Sequence, residues 1–276
     1  MAELEEGCLI QKFKEFSLLL NLIDNDLHAR FFTWVSMLVR GLILLILITY
    51  AGGVLDPLQS TVFLLLLSIL SLHGILDLGF VPTFIRIIAY VDRKRDNRGS
   101  LMIAGFDYSE TKIDDIRIVF EWIYLRLTIL FLVLIVGIGT AALLTPIGRM
   151  DDSNIGWASW VITVVGGLYL FTNTRYAAIL TGCNRIALQR ALEVLVGVPI
   201  LLLIGLSYYF QLSYFWMVVL FNLNYAVLYL LTKHQVSRIF PNRAKDNNSN
   251  KPNRKLVNNI FRSAWRSGVG VLMTMG

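Results

Sequence analysis

Long apolar runs separated by short charged blocks dominate the chain. Six of these runs are long enough to cross a hydrocarbon core of about 30 Å at a helical rise of about 1.5 Å per residue. They fall at Phe31–Tyr50, Gln59–Val91, Ile118–Leu144, Ile155–Gly182, Leu188–Phe210 and Ser213–Thr232. The second run is too long for one straight crossing. Its centre reads His73-Gly74-Ile75-Leu76-Asp77-Leu78-Gly79-Phe80-Val81-Pro82. Glycine and proline loosen the backbone ladder, so the pattern predicts a kink or unwound turn there. The acid Asp77 at that point calls for protein or water around it. The pattern therefore predicts an all-α, polytopic transmembrane bundle of six spans plus the start of a seventh.

The flanks divide the chain further. Residues 1–30 form an N-terminal segment, 31–232 the six-helix lobe, 233–258 a basic linker and 259–276 the opening of a seventh helix. Glu3, Glu5 and Glu6 are the opposite of a positively charged signal-peptide start. Leu9–Ile23 mixes Phe13, Phe16 and Leu20 with Lys12, Lys14 and Glu15, and reads either as an amphipathic helix on the membrane surface or as a mobile tail. Pro241–Lys255 is rich in Asn, Lys, Arg and Pro and reads as a disordered linker. The apolar piece after Gly268 is too short to cross, and a truncated chain is the expectation it raises.

Composition agrees with the pattern. Hydrophobic residues make up 56% of the chain and charged ones 16%, with a mean hydropathy of +0.63, which argues against a soluble protein. The high pI of about 9.4 does not point to nucleic acid, because the basic residues cluster in loops beside apolar spans. The loop after span two carries Arg93, Lys94, Arg95, Arg98, Lys112 and Arg117; that after span four carries Arg185, with Arg190 just inside span five. The segment after span six carries Lys233, Arg238, Arg243, Lys245, Lys251, Arg254 and Lys255, whereas the intervening loops hold only Arg149. The positive-inside rule then places the N terminus and the last loop in the cytoplasm of a multi-pass inner (cytoplasmic) membrane protein. Cys8 and Cys183 have no metal-ligand or redox spacing, and both fall near that reducing side.

Charges inside the spans are the chemically informative positions. An arginine at depth costs about 2.5–3.5 kcal/mol on insertion scales, so its presence calls for a reason. Counting along the helices puts Arg40 roughly 14 Å from the cytoplasmic boundary, Arg126 roughly 12 Å, Arg175 roughly 10 Å, and Arg86 and Glu193 roughly 8 Å. Asp77 lies deepest, and Asn173, Asn222 and Asn224 share the same band. The polar groups thus fall in the cytoplasmic half, the distribution expected of a wet cavity closed on the outside. The arginines outnumber the acids Asp77, Glu121 and Glu193, and their planar forks suit a phosphate or diphosphate. Duller roles stay open for each: Arg86, Arg175 and Glu193 are shallow enough to snorkel, Arg40 is within reach of Asp77, and His73 and Asp77 share a helix face. Glu121 and Arg126, five apart, are poorly spaced to pair.

Several chemistries lack their residues. There is no phosphate-binding Gly-x-x-x-x-Gly-Lys-Ser/Thr loop, no His-Glu-x-x-His and no nucleophile elbow, so neither enzyme, cofactor nor metal centre is expected. Asp114-Asp115 sits among basic neighbours, and Asp151-Asp152 on an outer loop is a weak metal candidate.

Leu76-Asp77-Leu78-Gly79-Phe80 followed by Thr83-Phe84-Ile85-Arg86-Ile87-Ile88-Ala89-Tyr90 resembles the second helix of Wzx-type polysaccharide (O-antigen) flippases, relatives of multidrug extruders and lipid II flippases. Tyr176–Arg185 is similar to that family's turn out of span four, and Ala264-Trp265-Arg266-Ser267-Gly268 to the opening of its seventh helix. The resemblance covers about residues 25–275. It implies one lobe of a two-lobe transporter that moves an undecaprenyl-diphosphate-linked oligosaccharide across the membrane for surface polysaccharide or lipopolysaccharide synthesis. A second lobe or a second copy is then needed as partner. The resemblance also implies that Arg40, Arg86, Arg126 and Arg175 hold the diphosphate in a cationic cavity, with Asp77, His73 and Glu193 as gating or coupling candidates. Two other readings stand beside it: a membrane-embedded polyprenyl-phosphate glycosyltransferase, for which the first outer loop offers only Asp56, and a non-catalytic membrane subunit whose buried arginines lock helices together.

Overall fold

The computed structural model describes residues 26–71, 73, 80–94, 102–103, 106–107, 113–239, 257–258, 260–262 and 264. The helices are α1 (Asp26–Gly53), α2 (Pro57–Ser71), α3 (Phe80–Lys94), α4 (Ile113–Leu134), α5 (Thr140–Gly148), α6 (Ser153–Gly182), α7 (Ile186–Tyr209) and α8 (Tyr214–Ile239). A π-helical turn, Ile135–Gly139, joins α4 to α5, so the two make one continuous span. Five helical stretches are long and apolar enough to cross a membrane, and α2 and α3 are shorter apolar helices. The chain is thus a multi-span helical membrane protein. The predicted second span appears as this shorter pair; the kink foreseen between them, with Asp77, lies outside the described residues. So do residues 1–25 of the N-terminal segment and 240–256 of the basic linker, whereas residues 26–30 open α1 and 233–239 continue α8 beyond the bounds expected for the lobe. Among the residues at the predicted seventh helix, Ile260 and Ala264 are helical and buried, and Phe261 packs on Phe80 at 5.6 Å.

One small departure from an all-α chain occurs in the loop after α3. Met102–Ile103 (β1) and Phe106–Asp107 (β2) form a two-residue antiparallel pair across the Ala104-Gly105 connection. So short a ladder leaves no alternation for a sequence reading to detect.

The apolar stripes explain how the helices pack. On α1, Ser36, Val39, Ile43, Leu47, Tyr50 and Ala51 are buried, while Trp34, Leu38 and Leu45 on the remaining faces are exposed. That is a narrow inward seam on a helix otherwise apolar all round, as expected of a span facing lipid. On α3, Phe80, Thr83, Phe84, Ile87 and Ile88 recur at helical spacing and are buried, leaving Arg86 on the outer face.

Lipid tails are as apolar as leucine, so close backbone approach at small residues holds such bundles together. α1 crosses α7 where Val39 covers Gly197; a Cβ on Gly197 would stand 2.9 Å from Val39 Cγ1. α6 crosses α8 where Asn222 lies on Gly166, and α3 meets α6 where Ile88 lies on Gly182. Aromatic rings fill the space between α3, α4 and α6: Phe84 on Phe120, Phe120 on Tyr124, Tyr124 on Phe171, and Phe171 stacked on Phe131 with centroids 4.9 Å apart. The π turn sits where Trp160 presses on Gly139 and donates from Nε1 to Thr140 Oγ1 at 3.2 Å.

Two tight reversals set the helix order at opposite ends of the bundle. After α6, the Arg185 N–H donates to Leu180 O at 2.9 Å and the Asn184 N–H to Thr181 O at 3.1 Å, with Asn184 at φ 57°. After α7, Leu212 and Gln211 repeat the pattern onto Ser207 and Tyr208, with Gln211 at φ 50°. Both are Schellman terminations with a non-glycine residue in the left-handed position. The Tyr50 hydroxyl ties the end of α1 to the second reversal by donating to Leu212 O at 2.5 Å.

Candidate functional site: a cavity between four helices

A cavity of about 470 Å³ lies among α1, α6, α7 and α8, with Val81 and Ile85 of α3 and His73 contributing to its wall. It occupies the half of the bundle nearer the α6–α7 reversal, since its walls come from the last turns of α6 and the first turns of α7. Its polar lining includes Arg40, Asn173, Thr174, Thr181, Gln189, Arg190, Glu193, Asn224 and Tyr225, set among Val39, Ile43, Phe221 and Leu228.

Glu193 is the hub. Its side chain is 6% exposed, and one carboxylate oxygen accepts from Arg40 Nη2 at 2.7 Å. The other accepts from Arg190 Nη1 at 2.8 Å and from Ser36 Oγ at 2.5 Å. Gln189 Nε2 lies 3.4 Å from Oε1, and Gln189 Oε1 in turn accepts from the Thr181 hydroxyl at 2.6 Å. A buried carboxylate is tolerable only with this number of charge-assisted partners.

The partners are unequal. Arg190 sits one turn before Glu193 on the same helix, and its buried Nε has no partner among the described residues. Arg40 reaches across from α1, and its side chain is 57% exposed. Among the described ionisable groups at this hub, Arg40 and Arg190 face one carboxylate and leave a surplus of one positive charge. Asn173 adds, on the cavity wall, a buried side-chain oxygen without a partner among the described residues.

The structure brings together some predicted residues and separates others. Arg40, His73 and Glu193 share the cavity. The His73 ring nitrogen Nδ1 lies 2.8 Å from Leu70 O, and Asp77 lies outside the described residues. The Arg40 partner is Glu193 on α7, far along the chain from α1 and invisible to spacing arguments within one helix. Arg86, Arg126 and Arg175 do not line the cavity. Arg86 projects from the outer face of α3. Arg126 is exposed and stacks on Trp122, 3.6 Å from its ring centre, one helical turn back. Arg175 lies 4.5 Å over the Tyr176 ring and donates to its hydroxyl at 2.5 Å. Depth alone grouped these arginines, but helix rotation decides which way each points.

Arg190, Gln189, Thr181 and Tyr225 were not anticipated as cavity residues. A signal was present for one of them: Arg190 stands three before Glu193, the spacing of a same-face ion pair. Glu121 pairs with Arg117 at 3.4 Å rather than with Arg126. Asp152 accepts from the Ile155 N–H at 3.4 Å as the cap of α6, which gives Asp152 a structural occupation. Among the described residues no three His, Cys, Asp or Glu side chains converge.

Fold and cavity together define a polytopic helical membrane protein whose bundle holds a largely apolar chamber with a charged cluster at Arg40, Arg190 and Glu193. Compared with family models, curated proteins and solved structures, the chain matches none of them.

Proposed function

We propose that the chain forms a transport lobe of six spans and the start of a seventh, similar to that of Wzx-type flippases, with its N terminus in the cytoplasm. Its task is to pass an undecaprenyl-diphosphate-linked oligosaccharide across the cytoplasmic membrane. The observation that carries this reading is the cavity at Arg40, with its surplus positive charge beside Arg190 and Glu193. A diphosphate suits a half-exposed guanidinium. Asn173, Asn224, Gln189 and Tyr225 supply neutral donors and acceptors of the kind that bind sugar hydroxyls. The volume lies in the range of small-molecule sites, so the chamber takes the diphosphate and the sugar next to it. A second lobe or second copy would enclose the remaining sugars and move against this one.

The test is binding of farnesyl diphosphate, pyrophosphate and farnesol to the purified full chain in detergent. Farnesyl diphosphate should bind best, and Arg40→Ala should abolish its advantage over farnesol. Equal binding of the alcohol and the diphosphate would remove the anion site from the argument.

A second reading rests on the 2.7 Å Arg40–Glu193 contact itself, which joins α1 to α7 and could serve only to lock them. Arg40→Ala protein that inserts and folds yet leaves lipid-linked glycan on the cytoplasmic leaflet supports transport. Failure of that variant to fold supports the lock.

A further inference from the structure

We propose that Glu193 is a built-in competitor at the anion site: it holds Arg40 while the cavity carries no anion, and a diphosphate-bearing ligand binds by taking Arg40 away from it. The inference rests on the reading of the cavity as an anion site and concerns how that site is controlled.

The inequality of the two arginines is what points to exchange. Arg190 is tied to Glu193 through a single turn of α7 and presents its Nη1 to Oε2, the same oxygen that Ser36 uses. Arg40 holds the opposite oxygen alone apart from the distant Gln189 amide, and more than half of its side chain is open. If Arg40 departs, Glu193 keeps Arg190, Ser36 and Gln189, so no buried charge is stranded. If Arg190 departed instead, a guanidinium with an already unpartnered buried Nε would have to move as well. The exchangeable cation is therefore Arg40.

Release of Arg40 also has a mechanical consequence. At this level α1 is held to α7 by Ser36, by Val39 seated on Gly197, and by Arg40. An arriving anion cuts the longest-reaching of these ties, at the place where α1 borders the chamber. A ligand biases a conformational equilibrium only through contacts that differ between states, and the Arg40 contact is such a one. Binding of the anion is thereby coupled to loosening of α1 against α7.

The experiment measures pyrophosphate and farnesyl diphosphate affinity for wild type, Glu193→Gln and Arg40→Ala, using the purified full chain. Neutralising Glu193 removes the competitor while leaving a side chain of the same shape, so both ligands should bind about tenfold tighter to Glu193→Gln, the scale of one close charge pair. Arg40→Ala should bind neither. The ratio between variant and wild type is the readout, and which probe binds more tightly tells a lipid-borne diphosphate from a soluble one. Equal affinity of wild type and Glu193→Gln overturns the competitor role while leaving the anion site standing. Weaker binding to Glu193→Gln overturns it in favour of a carboxylate that positions Arg40. Absence of binding to both proteins removes the anion site and the competitor together. If Glu193→Gln does not fold, Glu193→Asp serves: one methylene shorter, it keeps its charge near Arg190 but draws back from Arg40. About threefold tighter binding is then expected, and unchanged or weaker binding overturns the proposal.

Discussion

Replacing Glu193 by glutamine should destabilise the protein more than removing Arg40, although Arg40 is the larger residue and lies in a span. Glutamine keeps the shape and one acceptor oxygen but turns an amide N–H₂ toward a donor. With Arg40 Nη2, Arg190 Nη1 and Ser36 Oγ all aimed at the carboxylate, about two charge-assisted bonds are lost. Such bonds contribute about 1.5–3 kcal/mol each when desolvated. The 57% exposure of Arg40 and the 26% exposure of Arg190 screen part of that, leaving about 2 kcal/mol in total. Arg40→Ala leaves Glu193 with Arg190 and Ser36, so its cost should stay below about 1 kcal/mol. At about 2–4 °C per kcal/mol for a chain of this size, Glu193→Gln should lower Tm by about 4–8 °C and Arg40→Ala by less than about 4 °C. Thermal unfolding of detergent-solubilised protein, followed by intrinsic tryptophan fluorescence, measures both. The double variant should cost less than the sum of the singles, because the two residues share one contact. If Arg40→Ala proves as damaging as Glu193→Gln, the carboxylate is not the hub and the hierarchy of partners described here is wrong.

Three further outcomes follow from the packing and the site. Gly166→Ala should cost about 1–3 kcal/mol by overpacking, because a Cβ there would meet Asn222 Cβ at 2.7 Å and no side-chain rotation clears it; an unchanged Tm refutes this. Gln211→Gly should raise stability by about 0.5–1 kcal/mol, since Gln211 holds φ 50° where only glycine is unstrained; chemical denaturation in mixed micelles would reveal a loss instead if the turn needs the glutamine side chain. Arg126→Ala should leave diphosphate binding unchanged, as its guanidinium stacks on Trp122 outside the cavity; weakened binding would place it in the site after all.

The membrane class and most of the span positions were legible in the chain, because they depend on properties additive along it. Twenty or so consecutive apolar residues either cover a hydrocarbon core or do not, and this needs no partner helix. The long second run already signalled trouble by its length, and two shorter helices carry its described parts. The turn residues Asn184 and Gln211 gave weaker signals, since neither is the glycine that usually marks a Schellman termination. The π turn at Ile135–Gly139 was illegible, because it answers to Trp160 pressing on Gly139 from another helix.

The candidate site shows the same division. Sequence put Arg40, Arg126, Arg175 and Arg86 in one slab of the membrane, a statement about height alone. Azimuth comes from the stripes and from where small residues admit a neighbour: Gly197 under Val39 turns Arg40 toward α7, and the buried face of α3 turns Arg86 outward. The Arg40–Glu193 pair joins residues far apart in the chain, and only the packing of α1 on α7 brings them within 2.7 Å. One-dimensional order thus determined which stretches are long and apolar enough to cross a membrane. Three-dimensional packing decided which charges meet, because a helix can present a given residue in any direction until its neighbours fix its rotation.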